Sequence, residues 1–232
     1  MNTEMPTMPD VVYRLDPGGW LSVCHVMPEL DQAPADQLLR AESSRLAGNL
    51  RYAWTPAGVV RLGEVRTTDD PQAREEAEVR LLQWMEWERT EAGSMATEEQ
   101  IEGALAESGL AWIKRESAWV LPAIPVRSVE MVIQAVAGGA CVAATLADLQ
   151  GIDLEVRTAL TEFLCRAHSG LRFARCEVDE TAARVVSLAE TEHFETDIED
   201  SLGSVLAACR LLGREAQALL KPELAREYLK KN

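Results

Sequence analysis

The sequence of 232 residues predicts an α+β fold made of two related units, each an antiparallel sheet flanked by helices. Leu50-Arg51-Tyr52-Ala53 returns as Leu171-Arg172-Phe173-Ala174, an offset of 171 − 50 = 121, and each copy follows a glycine-containing helix stop. On that register Leu39 falls opposite Leu160 and Leu46 opposite Ala167, while Gly18-Gly19 faces Gly138-Gly139 at an offset of 120. Alternating runs joined by Gly, Pro and Asp turns are also interleaved with stripes of helical period, so hairpins and helices alternate along the chain. Related half-domains usually pack about a pseudo-two-fold axis, so one chain can build the paired surface of a homodimer.

In the first unit Val11 to Leu15 is a β-branched run, Asp16-Pro17-Gly18-Gly19 supplies a turn, and Trp20 to Val26 alternates as the returning strand. Pro34 suits a first helical position, Leu38, Leu39 and Leu46 recur at helical spacing, and Gly48-Asn49 closes that helix. Arg51 to Trp54 and Val59 to Arg66 read as a second hairpin about Thr55-Pro56-Ala57-Gly58. Asp69 or Asp70 then caps a helix with Pro71 at its start and an apolar stripe of Ala73, Ala77, Leu81, Trp84 and Met85. The unit is ββαββα.

Gly93 to Ala96 breaks that pattern, and Thr97-Glu98-Glu99-Gln100 is a capping box that opens a helix ending at Gly109. A boundary near residue 95 divides the chain into repeats 1–94 and 95–232. Leu110 to Ile113 and Ala118 to Leu121 read as strand up to Pro122, and Val129 to Ala147 reads as two strands joined at Gly138-Gly139. Asp153 caps a helix whose Val156, Leu160, Phe163, Leu164 and Ala167 share one face. Leu171 to Val178 and Ala183 to Ala189 form another hairpin, a long helix starts near Asp197, and Pro222 restarts it toward the C-terminus. The second unit is αβββαββα.

Composition narrows the function. An apolar content of 47% supports a buried core, and a net charge of −15 with a pI near 4.7 repels phosphate backbones and anionic bilayers, so neither nucleic acid nor membrane is an expected partner. The longest apolar run, Ala135 to Ala147, is too short to span a bilayer, and Met1 to Asp10 lacks the basic and apolar segments of a secretory signal, so the expected location is the cytoplasm. Five cysteines, scattered singly, read as reduced thiols.

No residues pair in type and spacing as catalysis or metal binding requires. His25, His168 and His193 lie apart, and neither glycine pair carries the further glycines or the Lys-Ser/Thr of a phosphate loop. Ser201-Leu202-Gly203-Ser204 sits inside a helical pattern and is no nucleophile elbow. The expectation is a protein without enzymatic activity, cofactor or metal. Acidic runs at Glu75 to Glu78 and Glu190 to Asp200 read as solvated helix starts that offset the dipole. Six tryptophans against three phenylalanines make Trp84, Trp87, Trp112 and Trp119 the candidate partner-binding residues, with packing in the core or between the halves as the alternative use. Leu39, Leu46, Leu160, Phe163 and Leu164 are the expected packing residues between repeats.

The order helix, three strands, helix, two strands, helix over about Thr97 to Lys221 resembles the chaperones of bacterial type III secretion systems and their YbjN-like relatives. Leu105-Ala-Glu-Ser-Gly109, the strands of Val129 to Ala147, the helix Leu154 to His168 and the hairpin from Leu171 carry the resemblance. It implies a dimeric α/β binding protein, paired through the central helix, that holds an extended segment of a client such as a secreted effector. Here Leu154 to His168 and the first-half helix Pro34 to Ala47 would pair internally, giving either a monomer with a pseudo-dimer inside it or a further homodimer. The first repeat lacks the family's first helix and first strand and is in that sense truncated. The rival expectation is a small-ligand or enzymatic domain with a pocket between the repeats, lined by Trp112, Trp119 and Glu190 to His193; a third is a structural subunit of a larger assembly.

Overall fold

The computed structural model describes residues 11–45, 48–86, 94–124 and 129–231. It is an α+β protein with two antiparallel sheets, of four and six strands, packed against helices. The first unit contains β1 (Val11–Leu15), β2 (Trp20–Val26), α1 (Ala35–Arg45), β3 (Arg51–Thr55), β4 (Gly58–Arg66) and α2 (Pro71–Glu86). The second contains α3 (Glu98–Glu107), β5 (Ile113–Arg115), β6 (Ala118–Leu121), β7 (Met131–Val136), β8 (Gly139–Asp148), α4 (Leu154–Ala167), β9 (Arg175–Val178), β10 (Ala182–Glu190), α5 (Phe194–Leu219) and α6 (Pro222–Lys231). Leu46 and Trp87 lie outside the residues whose side chains are described.

The two sheets repeat one topology. The first runs β1-β2-β4-β3, and the last four strands of the second run β7-β8-β10-β9, with α1 and α4 entering at the same point of each. Gly19 (φ +75°) and Gly138 (φ +86°) occupy corresponding hairpin turns, where a left-handed backbone favours glycine. From those turns the ladders agree pair by pair: Trp20 with Arg66 against Gly139 with Glu190, Val26 with Val60 against Thr145 with Arg184, and Arg51 with Leu62 against Arg175 with Val186.

The equivalence differs from the one expected in one place. Arg51 matches Arg175, an offset of 175 − 51 = 124, whereas the similar quartets sit 121 apart. Leu171 to Ala174 does not enter the strand, and Phe173 takes a positive φ of 48° instead. That turn drives the Phe173 ring into the core of the first unit, 5.8 Å from the Trp20 ring and 6.5 Å from the Trp84 ring. The aromatic contact offsets a conformation that costs a bulky residue about 1 kcal/mol or more. The second unit also has four strands before α4 where three were expected, because Ile113–Arg115 pairs with Ala118–Leu121 as a separate hairpin about Glu116, itself at φ +50°. Helix α5 starts at Phe194, three residues before Asp197.

The units contact each other reciprocally. Helix α1 packs on α4 and on β9 of the second unit, and α4 packs on β3 of the first. Two buried arginines cross in opposite directions. Arg51 donates from Nε to the His168 carbonyl at 2.8 Å and from Nη2 to the Leu171 carbonyl, while Arg175 donates to the Gly48 carbonyl at 2.7 Å. Each thereby satisfies a carbonyl where the opposite helix ends, as an isologous interface requires. Asn49 adds a strand-like pair, its side chain donating to the Leu188 carbonyl at 2.9 Å and accepting from the Leu188 amide at 2.7 Å. His168 is wholly buried, donating from Nδ1 to the Tyr52 carbonyl at 2.6 Å and accepting at Nε2 from the Cys176 amide at 2.7 Å, partners that place the hydrogen on Nδ1.

Candidate functional site

Phe173, Arg51, His168 and Arg175 are buried where the units meet, and Leu39, Leu160 and Leu164 sit fully buried together in the larger core. Phe163 is half-buried and meets Tyr228 of α6 edge-on at 6.5 Å. Trp84 is buried in the first core, and its Nε1 donates to Glu190 at 2.9 Å. Trp119 is buried in the second core and donates to Glu102 at 3.1 Å, while Trp112 lies half-buried against the same core. Trp84 and Trp119 are therefore committed to contacts within the chain.

The acidic run at Glu190 to Asp200 also does more than face water. Arg80 of α2 donates from Nε to Glu190 at 2.9 Å and forks onto both oxygens of Asp197, and it stacks on the Trp84 ring at 4.8 Å. Burial works against the Arg80 charge, yet Asp197 and Glu190 outweigh it and hold the guanidinium above its ordinary value. Glu190 leaves the solvated acidic face to become part of an ion triad joining α2 to the start of α5.

A concave surface runs along α5. Ile198, Leu202, Val205, Ala208, Cys209 and Leu212 point inward from this helix onto β8 and β10. Ile198, Leu202 and Cys209, at the edge of that face, and the more exposed residues beside them line three adjoining cavities. The first, about 460 Å³, lies between α3 and the beginning of α5, with Glu99, Gly103 and Glu107 opposite Glu195 and Glu199. The second, also about 460 Å³, sets Leu206 and Gly203 against Leu110, Ile124 and Met131, and Trp20 and Arg66 of the first unit close its side. The third, about 390 Å³, sets Arg210, Gly213 and Arg214 against Val129, Thr145 and Leu146. Ser108, Glu199 and Leu202 line both the first and second cavities, and Arg210 lines the second and third, so the three lie in a row along α5, a row referred to below as the groove. From Glu195 to Gln217 the helix rises about 33 Å at 1.5 Å per residue, room for about ten residues of extended chain.

Local sequence explains how the walls are held. The Thr97 hydroxyl accepts from the Gln100 amide and the Gln100 side chain accepts from the Thr97 amide, which fixes the start of α3. Ile101 and Leu105 bury its inner face, and Lys114 reaches back from β5 to Glu98 and Glu102. Glu102 is held below its ordinary value by the Trp119 N–H and by Lys114.

The lining of the groove has a feature that the chain's own packing does not account for. Gly103, Gly203 and Gly213 are interior helical glycines, all three line the groove, and a Cβ at any of them would meet no atom within 4 Å. Each costs about 1 kcal/mol relative to alanine, with no close internal contact to explain it. By contrast a Cβ at Gly63, inside β4, would lie 2.7 Å from Leu50. None of Trp84, Trp112 and Trp119 lines these three cavities.

Chemically the groove offers surface and charge. Burial pushes the Cys209 thiol up to about 11, so it stays protonated at neutral pH and makes a poor nucleophile. Burial, with Asp197 and Glu199 nearby, also pushes Asp200 up, against the pull of Arg66 at 3.0 Å. Among the described residues no three of His, Cys, Asp and Glu converge as a metal-binding set, and no helix is long and apolar enough to cross a membrane. No protein-family model, curated protein or solved structure matches the chain.

Proposed function

We propose that this protein is a non-enzymatic, chaperone-like binding module that holds an extended or disordered segment of a client protein in the groove along α5, acting in the cytoplasm. The observation that carries the reading is the set of open helical glycines lining the groove. A backbone can approach a helix closely only where side chains are missing, and the helix gives up stability to leave those positions bare. The length of the groove suits about ten residues of extended chain, and the apolar stretch of Leu110, Ile124, Met131 and Leu206 suits burial of such a segment's side chains. Two units packed reciprocally are also what the resemblance to type III secretion chaperones and YbjN-like proteins implies, two copies of an α/β unit building one binding body. Ordering a disordered segment costs several kcal/mol, so micromolar to nanomolar affinity is expected.

The test is a fluorescence-polarisation screen of 12-residue peptides with apolar centres against the full chain and against Gly203→Leu/Gly213→Leu. Leucine at these positions favours the helix and fills the groove. Peptide binding weakened tenfold or more in a variant that melts higher than wild type supports the reading. Binding indifferent to the filled glycine positions, or no binding to any peptide, overturns it.

A further inference from the structure

We infer that α5 is also the face through which two copies of this chain pair, antiparallel about a two-fold axis that sets Leu206 of each copy over Gly203 of the other. The middle of this helix is uncharged on its outward side. From Ser201 to Cys209 no residue carries a charge, although Gly203 and Ala207 are exposed and Leu206 is half-buried. A helix face turned to water ordinarily carries charged or polar side chains, and here Leu211, 62% exposed, extends the apolar surface on one flank. Gly203, Leu206 and Gly213 follow one another at 3 and 7 residues, the spacing of a seam where one helix meets another. A Cβ at Gly203 would meet nothing within 4 Å, so a leucine from outside has room to settle there.

A second copy fits this face because the face is self-complementary. Arg214 lies eight residues after Leu206 and Glu195 eight before Gly203, so the register that sets Leu206 on Gly203 also sets Arg214 on Glu195, twice by symmetry. Both side chains are exposed, and neither is held in an ion pair among the described residues. The helix dipole accounts for a glutamate in the first turn, but Arg214 stands five residues short of Leu219, outside the last turn. Each Glu195–Arg214 match lies about 14 Å from the crossing point, where axes crossing at about 20° are still about 10 Å apart, within reach of long side chains. One helix crossing covers less than a standard interface, so half-association is expected at about 10–100 μM. Gly203 and Leu206 also line the second cavity, so a client segment and a second copy would exclude each other. That exclusion rests on the groove reading above; the pairing itself does not.

Light scattering and sedimentation equilibrium over about 1–500 μM read the mass of the full chain. Wild type should rise from 25.6 kDa toward twice that value. Arg214→Glu, which sets like charges opposite Glu195, should raise the dissociation constant about fivefold or more. Glu195→Arg/Arg214→Glu should return it to within twofold of wild type, a rescue that a role within one copy would not give. Gly203→Leu should raise it tenfold or more while melting no lower than wild type. A single-chain mass at every concentration, a dimer that withstands either Arg214→Glu or Gly203→Leu, or a double variant that stays dissociated overturns the pairing; peptide binding in the polarisation screen then leaves the groove reading standing. Dimerisation as expected with no peptide bound overturns the groove reading and leaves the pairing. Where a peptide does bind, saturating it should return the mass to one chain, and a dimer that keeps its mass overturns pairing through α5.

Discussion

Replacing Gly103, Gly203 and Gly213 by alanine should stabilise the protein, a direction opposite to that of most substitutions. Each glycine lies inside a helix, none has a positive φ, and a Cβ built on any of them has nothing within 4 Å to meet. The change therefore adds helix propensity and removes unfolded-state freedom with no packing penalty, about 0.7–1 kcal/mol per site. With nothing within 4 Å of any of the three methyls, their effects should add, and the triple variant should gain about 2–3 kcal/mol. For a chain of this size that is a rise of about 4–10 °C in Tm. Urea unfolding followed by circular dichroism gives the free energy and calorimetry gives the Tm. Two further alanine variants calibrate the reasoning. Gly63→Ala sets a methyl 2.7 Å from Leu50 and 3.3 Å from Leu81, and Gly48→Ala places one against the Trp84 ring at φ +52°, so both should destabilise. A triple variant no more stable than wild type would refute the claim that these glycines are unused by the fold, and with it the main support for the groove.

Arg80→Met should cost about 3–5 kcal/mol, because Asp197 and the partly buried Glu190 lose their counter-charge, and urea unfolding would show it. A loss under 1 kcal/mol would remove the triad as the tie between α2 and α5. Asp179→Asn should destabilise the β9–β10 hairpin at pH 7: Arg184, then the Thr181 hydroxyl, hold the Asp179 carboxyl well below the usual carboxylate range. A depressed folded-state pKa stabilises above the unfolded value of 3.8 and is lost as pH falls below it, so the gap in Tm between variant and wild type should shrink steadily from pH 4 downward. Cys209, pushed up to about 11 by burial, should react with iodoacetamide at pH 8 at least tenfold more slowly in the native protein than in urea, as read by mass spectrometry.

The hairpins and helices were legible in the sequence because their signals are local. Gly138-Gly139 turns where a positive φ is needed, Thr97 and Gln100 cap a helix through their own side chains, and Pro222 opens one. The repeat was legible too, but its register slipped by three residues after α4. Leu171-Arg172-Phe173-Ala174 looks like Leu50-Arg51-Tyr52-Ala53, yet Phe173 answers to Trp20 and Trp84 of the other unit, a demand set at a sequence distance of 89 residues or more (173 − 84 = 89). Glu190 likewise looked like part of a solvated helix start until Arg80 and Trp84 supplied its partners across the fold. The groove was hidden for a different reason. Gly203 inside a helical pattern is visible in the sequence, but that its outer side stays open depends on where α3 and the β6–β7 region come to rest beside α5.

The loan of Phe173 to the first core has a consequence during synthesis. When α2 has left the ribosome, the pocket between Trp20 and Trp84 still lacks the ring that plugs it, and that ring is 173 − 86 = 87 residues away. At translation speeds of about 5–20 residues per second the nascent amino-terminal half waits roughly 4–17 s with apolar side chains uncovered. For those seconds the first unit would be a substrate for the cell's general folding helpers.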